Sequence, residues 1–220
     1  MKVGPLWGYM VDLYMARTCR WGVLRVIGGE LHLQEGDVLI TPANNRLSGR
    51  EGLDALIHKA AGEELREKCQ AISVEQRKLN LPPCPVTENV VTSPYNLKDK
   101  FKQIVHVVSP DCRRPNQDET RRTLLPQAYN NLFETLKGMK KVDKVVAPPL
   151  SMGVFAYPHR EGARLTLECL LGALDGEEDL GIKEYTIVVK ERNFINNMRT
   201  VYRESEDQLP GTDTTNDEEL

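Results

Sequence analysis

Residues 36–62, GDVLITPANNRLSGREGLDALIHKAAG, decide the fold. The apolar run Val38–Ile40 reads as a buried strand and leads into Pro42-Ala43-Asn44-Asn45. A loop bearing Gly49 and Gly52 follows, and then a helix that carries Asp54 and His58. Strand, glycine-bearing loop and helix in that order bring backbone N–H groups and a helix N-terminus to one point, an arrangement that holds phosphate. An Asn before the loop and a carboxylate after it add groups able to act on whatever the phosphate carries. A second turn of the same kind, Ser151-Met152-Gly153-Val154-Phe155, lies about a hundred residues further on.

Outward from this stretch, apolar runs and helical spacing alternate. Strands are expected at Val23–Ile27, Asp37–Thr41, Val86–Thr92, Gln103–Val108, Val142–Pro149 and Tyr185–Val189. Apolar residues recur at helical spacing over Leu53–Cys69, Arg121–Met139, Pro158–Leu174 and Asn193–Tyr202. This alternation implies an α/β sandwich with a largely parallel sheet between helical layers. Ligands of such sheets bind at the carboxyl ends of the strands, where both glycine turns fall.

The 220 residues suit one large domain, and 40% apolar with 28% charged residues is the make-up of an ordinary globular chain. The apolar runs are of strand length, too short to span a bilayer, and no signal peptide is evident, so a cytoplasmic or nuclear location without a membrane partner is expected. Five scattered cysteines form no CxxC pair, which excludes a disulfide scaffold or structural zinc site by spacing. Residues 204–220 hold seven acidic and no basic side chains and read as a disordered tail. Without them the body carries 29 basic against 25 acidic residues. Residues 1–22, with Trp7, Tyr9 and Tyr14, read as an extension packed on a domain of residues 23–203.

Residues 23–203 resemble the macrodomain family, modules that bind ADP-ribose. The resemblance rests on Ala43-Asn44, Leu47, Gly49 through Gly52, Leu53-Asp54-Ala55-Leu56-Ile57-His58 and Ala60-Ala61-Gly62, followed by Ser151-Met152-Gly153-Val154-Phe155-Ala156-Tyr157-Pro158. The segments TSPYNL (92–97) and IVHVVSP (104–110) are similar too. It implies a three-layer α/β/α sandwich with a mixed, largely parallel sheet, acting as a monomer without a cofactor.

The resemblance also implies roles. Gly49, Arg50, Glu51, Gly52 and Leu53 would wrap the diphosphate, with Ser151, Met152, Gly153 and Val154 offering backbone N–H groups from the other side. Arg50 and Glu51 stand where the family carries glycine; an arginine there can pair with phosphate, and a carboxylate repels it unless turned away. Asn44 would contact the distal ribose, with a turn-stabilising role as the alternative. Asp54 matches the aspartate that positions a water near that ribose in the hydrolytic branch. His58, four residues on, either tunes Asp54 or is satisfied within the core. No third ligand is in register for a metal. Glu30, beside Leu31, would accept from the adenine amino group or lie on the surface. Phe155 would edge the ribose or adenosine side or else pack in the core, and Phe194, Asn193 or a cation would cover the base.

Three functions follow. The first is hydrolysis of mono-ADP-ribose from acidic protein side chains, or deacylation of O-acyl-ADP-ribose, by Asn44 and Asp54 with His58. The second is a reader of ADP-ribosylated proteins or poly(ADP-ribose). The third is a degenerate scaffold that contacts RNA, for which Arg113-Arg114 and Arg121-Arg122 offer a basic patch.

Overall fold

The computed structural model describes residues 12–113 and 118–205. Seven strands form one sheet in the order β1-β2-β7-β6-β3-β5-β4. They are β1 (Leu13–Thr18), β2 (Val23–Gly28), β3 (Val38–Ala43), β4 (Asn89–Thr92), β5 (Gln103–Val108), β6 (Lys144–Ala147) and β7 (Glu184–Val189). The five inner strands run parallel, and β1 and β4 pair antiparallel at the two edges. The sheet is thus mixed and largely parallel, as the alternation of elements implied.

Five helices cover it: α1 (Gly52–Ala61), α2 (Glu63–Lys78), α3 (Asp118–Gly138), α4 (His159–Leu174) and α5 (Arg192–Ser205). Parallel strands need crossovers, and the helices that supply them bury both sheet faces. On one face Val38, Ile40, Val105 and Ile187 pack against Leu125 and Leu132 of α3, Leu167 and Leu170 of α4, and Met198 of α5. On the other, Leu39, Ile104, Val146 and Val188 pack against Ile57 and Ala61 of α1 and Leu65 and Cys69 of α2. Alternate residues of β3 therefore feed two cores, the period-2 signature of a strand buried on both sides. The result is a three-layer α/β/α sandwich.

The strands expected at Val86–Thr92 and Val142–Pro149 are trimmed to Asn89–Thr92 and Lys144–Ala147, and two larger departures from the sequence reading follow. The helix expected over Leu53–Cys69 is two helices, because Gly62 turns the chain at φ +93°. A side chain there would meet Asn96, whose Nδ2 lies 2.4 Å from the Cβ position. Helical periodicity continues through Leu65 because both helices face the same core, so the apolar pattern hides the break. Residues 13–18, expected within a packed extension, instead pair with β2 as a strand of the sheet. The extension's first eleven residues and the acidic tail beyond Ser205 lie outside the described residues.

Candidate functional site

β2, β3, β6 and β7 all end on one side of the sheet, and the chain leaving each builds one wall of a cavity of about 360 Å³. Gly29, Glu30 and Leu31 follow β2, Pro42 and Asn44 come from β3, Pro148 and Pro149 follow β6, and Lys190 follows β7. The first loop contributes Glu51, Gly52, Leu53 and Asp54, and the second contributes Ser151 through Phe155. Its size lies in the range of small-molecule sites.

The first loop is held from below. Asn44 closes it: its Oδ1 accepts from the N–H of Arg46 (3.0 Å) and of Ser48 (3.2 Å), and its Nδ2 donates to Ser48 Oγ (2.7 Å). Asn44 borders the cavity, yet its amide braces the turn, the alternative that sequence reasoning gave it. Gly49 and Gly52 both adopt positive φ, at +56° and +55°. A Cβ on Gly49 would fall 2.3 Å from the His58 ring, and one on Gly52 2.6 Å from Val154 Cγ2. Arg50 and Glu51 do not adopt positive φ, so the positions that interrupt the glycine run are those where the backbone does not require glycine. Glu51 is the residue before α1 and makes no side-chain cap bond, which leaves the first-turn N–H groups of α1 uncapped beside the cavity.

Asp54 sits on the cavity floor, 3% exposed. Its Oδ1 accepts from Thr41 Oγ1 at 2.8 Å, and the backbone N–H of Gly49 lies near enough to act on its charge. Burial raises its carboxyl to a pKa of about 6, against the lowering effect of these two donors. Its Oδ2 makes no hydrogen bond. The carboxylate therefore ties strand β3 to the first turn of α1 while its other oxygen makes no hydrogen bond.

His58 lies behind Asp54 rather than on the cavity, with Nε2 3.8 Å from Asp54 Oδ1. Burial lowers its pKa, so the ring is neutral and carries no charge to the carboxylate. The fold brings two further groups to it that the spacing did not show: Cys69 from α2 and His106 from β5, with ligand atoms of all three within 4.8 Å of one another. Burial pushes the Cys69 thiol up to about 12 and His106 down to about 3. This neutral cluster is the donor set that a metal ion could use among the described residues, and it underlies the Gly49 loop rather than lining the cavity.

The second loop is braced differently. Ser151 and Ala156 adopt positive φ, at +65° and +52°. Ser151 Oγ donates to the Pro110 carbonyl (2.9 Å), and the ring of His159 bonds the Met152 carbonyl (3.0 Å). The Cys112 N–H donates to the Phe155 carbonyl at 2.8 Å, fixing the Ser109–Arg113 segment to this loop.

An ion pair stands at each end of the cavity. At one end Lys190 Nζ pairs with Glu30 Oε1 beside Phe194, so the carboxylate expected to receive an adenine amino group is engaged by a cation. At the other, Glu51 Oε2 lies 3.6 Å from Arg113 Nη1, and Arg113 stands over the Phe155 ring at 5.6 Å. The lining brings together Glu30, Leu31, Asn44, Glu51, Gly52, Leu53, Asp54 and the Ser151–Phe155 stretch. It does not include Gly49, Arg50, His58 or Asn193; Phe194, the other candidate for covering a base, does line it. Pro148, Pro149 and Leu56 also line it and went unassigned, since apolar residues near a strand end read as core.

A largely parallel α/β sheet with a cavity between two loops at its carboxyl edge has the layout of a nucleotide-type binding module. Comparison makes this specific. The model of the Macro domain matches residues 40–166, and the chain belongs to that family. A Macro domain-containing protein of Listeria monocytogenes is 30% identical over 165 residues, which covers 75% of this chain and 88% of the relative. An O-acetyl-ADP-ribose deacetylase of Cronobacter sakazakii is 29% identical over 174 residues, covering 79% and 91%. The structure of an Oceanobacillus iheyensis macrodomain with ADP superposes with a TM-score of 0.79 at 25% identity, over 91% of this chain and all of that one.

Proposed function

We propose that the cavity binds ADP-ribose and that the chain hydrolyses carboxylic esters of it: an O-acyl group on the distal ribose, or the ester joining that ribose to an acidic protein side chain. The observation that carries this reading is the cavity bracketed by two loops, one of which ends in the uncapped N-terminus of α1. Those first-turn amides and the N–H groups of Ser151–Val154 would hold the diphosphate. Phe155 would then border the distal ribose and Phe194 the base. The relatives named as O-acetyl-ADP-ribose deacetylases support the ester as the bond cleaved.

In this reading Asp54 acts from beneath. By holding Thr41 it ties the first turn of α1 to β3 beneath the cavity. Asn44 holds the first loop from the β3 side, and His58 packs as its platform. Purified protein incubated with O-acetyl-ADP-ribose, and separately with a glutamate-modified protein, should release acetate and ADP-ribose respectively.

One observation favours a second reading. Asn44 already spends its hydrogen bonds on the loop and Asp54 spends one on Thr41, which suits a reader that binds ADP-ribose without turning it over. Tight ADP-ribose binding with no release from either ester would establish the reader.

A further inference from the structure

The ester-hydrolysis reading leaves open which group activates the water, and the structure narrows the choice. Four described residues that bear a carboxylate line the cavity: Glu30, Glu51, Asp54 and Glu191. Glu30 is held by Lys190 at the Phe194 end, and Glu191 belongs to the same end, where its carbonyl accepts from the N–H of Phe194. Asp54 is enclosed at 3% exposure, and its Oδ1 is committed to Thr41. Glu51 alone combines an exposed carboxylate with a place on the first loop, and its partner Arg113 stands over Phe155.

Its surroundings suit a reactive carboxylate. The side chain is 59% exposed, so a water reaches it. Its partner Arg113 is anchored elsewhere: Nη2 donates to Asp111 Oδ2 at 2.6 Å and Nε to Asp111 Oδ1 at 2.9 Å, while the guanidinium covers Phe155. Arg113 thus orients the Glu51 carboxylate from a fixed point without needing to follow it. The contact is long, at 3.6 Å, and leaves the carboxylate oxygens open to a water.

We propose that Glu51 is the general base of this chain and Arg113 its positioning residue; the assignment rests on the ester-hydrolysis reading. Glu51 takes a proton from water as the water oxygen bonds to the ester carbonyl carbon. The bond from that carbon to the ribose oxygen then breaks, and the ribose oxygen recovers the proton from Glu51. The products are ADP-ribose and the free carboxylic acid.

Such a base has a signature that neither structural damage nor relief of repulsion reproduces. A carboxylate beside a diphosphate opposes binding, so Glu51→Gln should bind ADP-ribose as tightly as wild type or roughly 3-fold tighter. Its kcat on O-acetyl-ADP-ribose should fall on the order of 100-fold, the lower range for loss of a general base. Glu51→Gly restores the residue the family loop carries, and added formate should recover part of its rate. Arg113→Met should lower kcat less than Glu51→Gln and leave KM nearly unchanged. A Glu51→Gln rate within about 3-fold of wild type, or above it, overturns the assignment and leaves ester hydrolysis standing. Parallel loss of binding and rate also overturns it. A wild-type chain that binds ADP-ribose but releases nothing overturns both readings together.

Discussion

The two loops that flank the cavity reach the same end by opposite means. The first enters the left-handed region at Leu47, Gly49 and Gly52, with glycine at the two positions where a Cβ would collide with a neighbour, and spends the positions between them on charge. The second turns through the same region on Ser151 and Ala156, while Gly153 has no positive φ and open space where a Cβ would go. The first loop is tight because groups beneath it press up against it or bond it: the His58 ring fills the space under Gly49, and the Asn44 amide binds Ser48. The second is tight because side chains bind its carbonyls and its neighbours from outside. A glycine run by itself is therefore a poor guide to where backbone freedom is needed. What decides is the φ value and what lies beneath.

Breaking the first loop should cost most. Gly49→Ala forces a Cβ into the His58 ring at a left-handed position, and should destabilise the fold by about 3 kcal/mol in urea unfolding, with ADP-ribose binding lost. The buried support beneath it gives a pH signature. A carboxyl with a folded pKa of about 6, against about 3.9 unfolded, binds its proton more tightly in the folded chain. Its contribution to stability is thus full below about pH 4 and is lost as pH rises through about 6. Asn has no proton to lose and its oxygen still accepts from Thr41. The stability of D54N relative to wild type should therefore improve by about 2–3 kcal/mol between pH 4 and pH 7, measured by denaturant midpoints at each pH. Gly52→Ala meets only the tip of the half-exposed Val154, which can rotate, so about 1–2 kcal/mol is expected, nearly all of it from the positive φ. The smallest effect, and of opposite sign, belongs to the second loop. Ala156→Gly should stabilise the chain by up to about 1 kcal/mol in thermal unfolding, since it relieves a left-handed alanine. If Ala156→Gly destabilises instead, the contrast between the loops fails.

Much of this was legible in residues 36–62 and 151–158. Hydrophobic runs and glycine turns repeated in order, and each turn sat where a buried strand meets a helix. The parts that escaped have a common cause. Helical spacing cannot show the break at Gly62, because α1 and α2 bury their apolar stripes in one core and only φ records the turn. Residues 13–18 read as an extension because an edge strand needs only one apolar face, and six residues give little alternation to count. Side-chain pairings across the fold, Glu30 with Lys190 and Glu51 with Arg113, join residues too far apart in the chain for any local pattern to link. The gathering of Cys69 and His106 around His58 is of the same kind, since it takes a second helix and a neighbouring strand to make it. The role of Asn44 was read as ligand contact or turn brace, and the structure shows its amide bracing the turn.

The account stands or falls on what the cavity does with an ADP-ribose ester. The most direct measurement is acetate release from O-acetyl-ADP-ribose by the purified chain, followed over several turnovers and alongside calorimetry with ADP-ribose. The account predicts one binding site per chain and catalytic release that free ADP-ribose inhibits. No release, together with no heat at millimolar ADP-ribose, would contradict it.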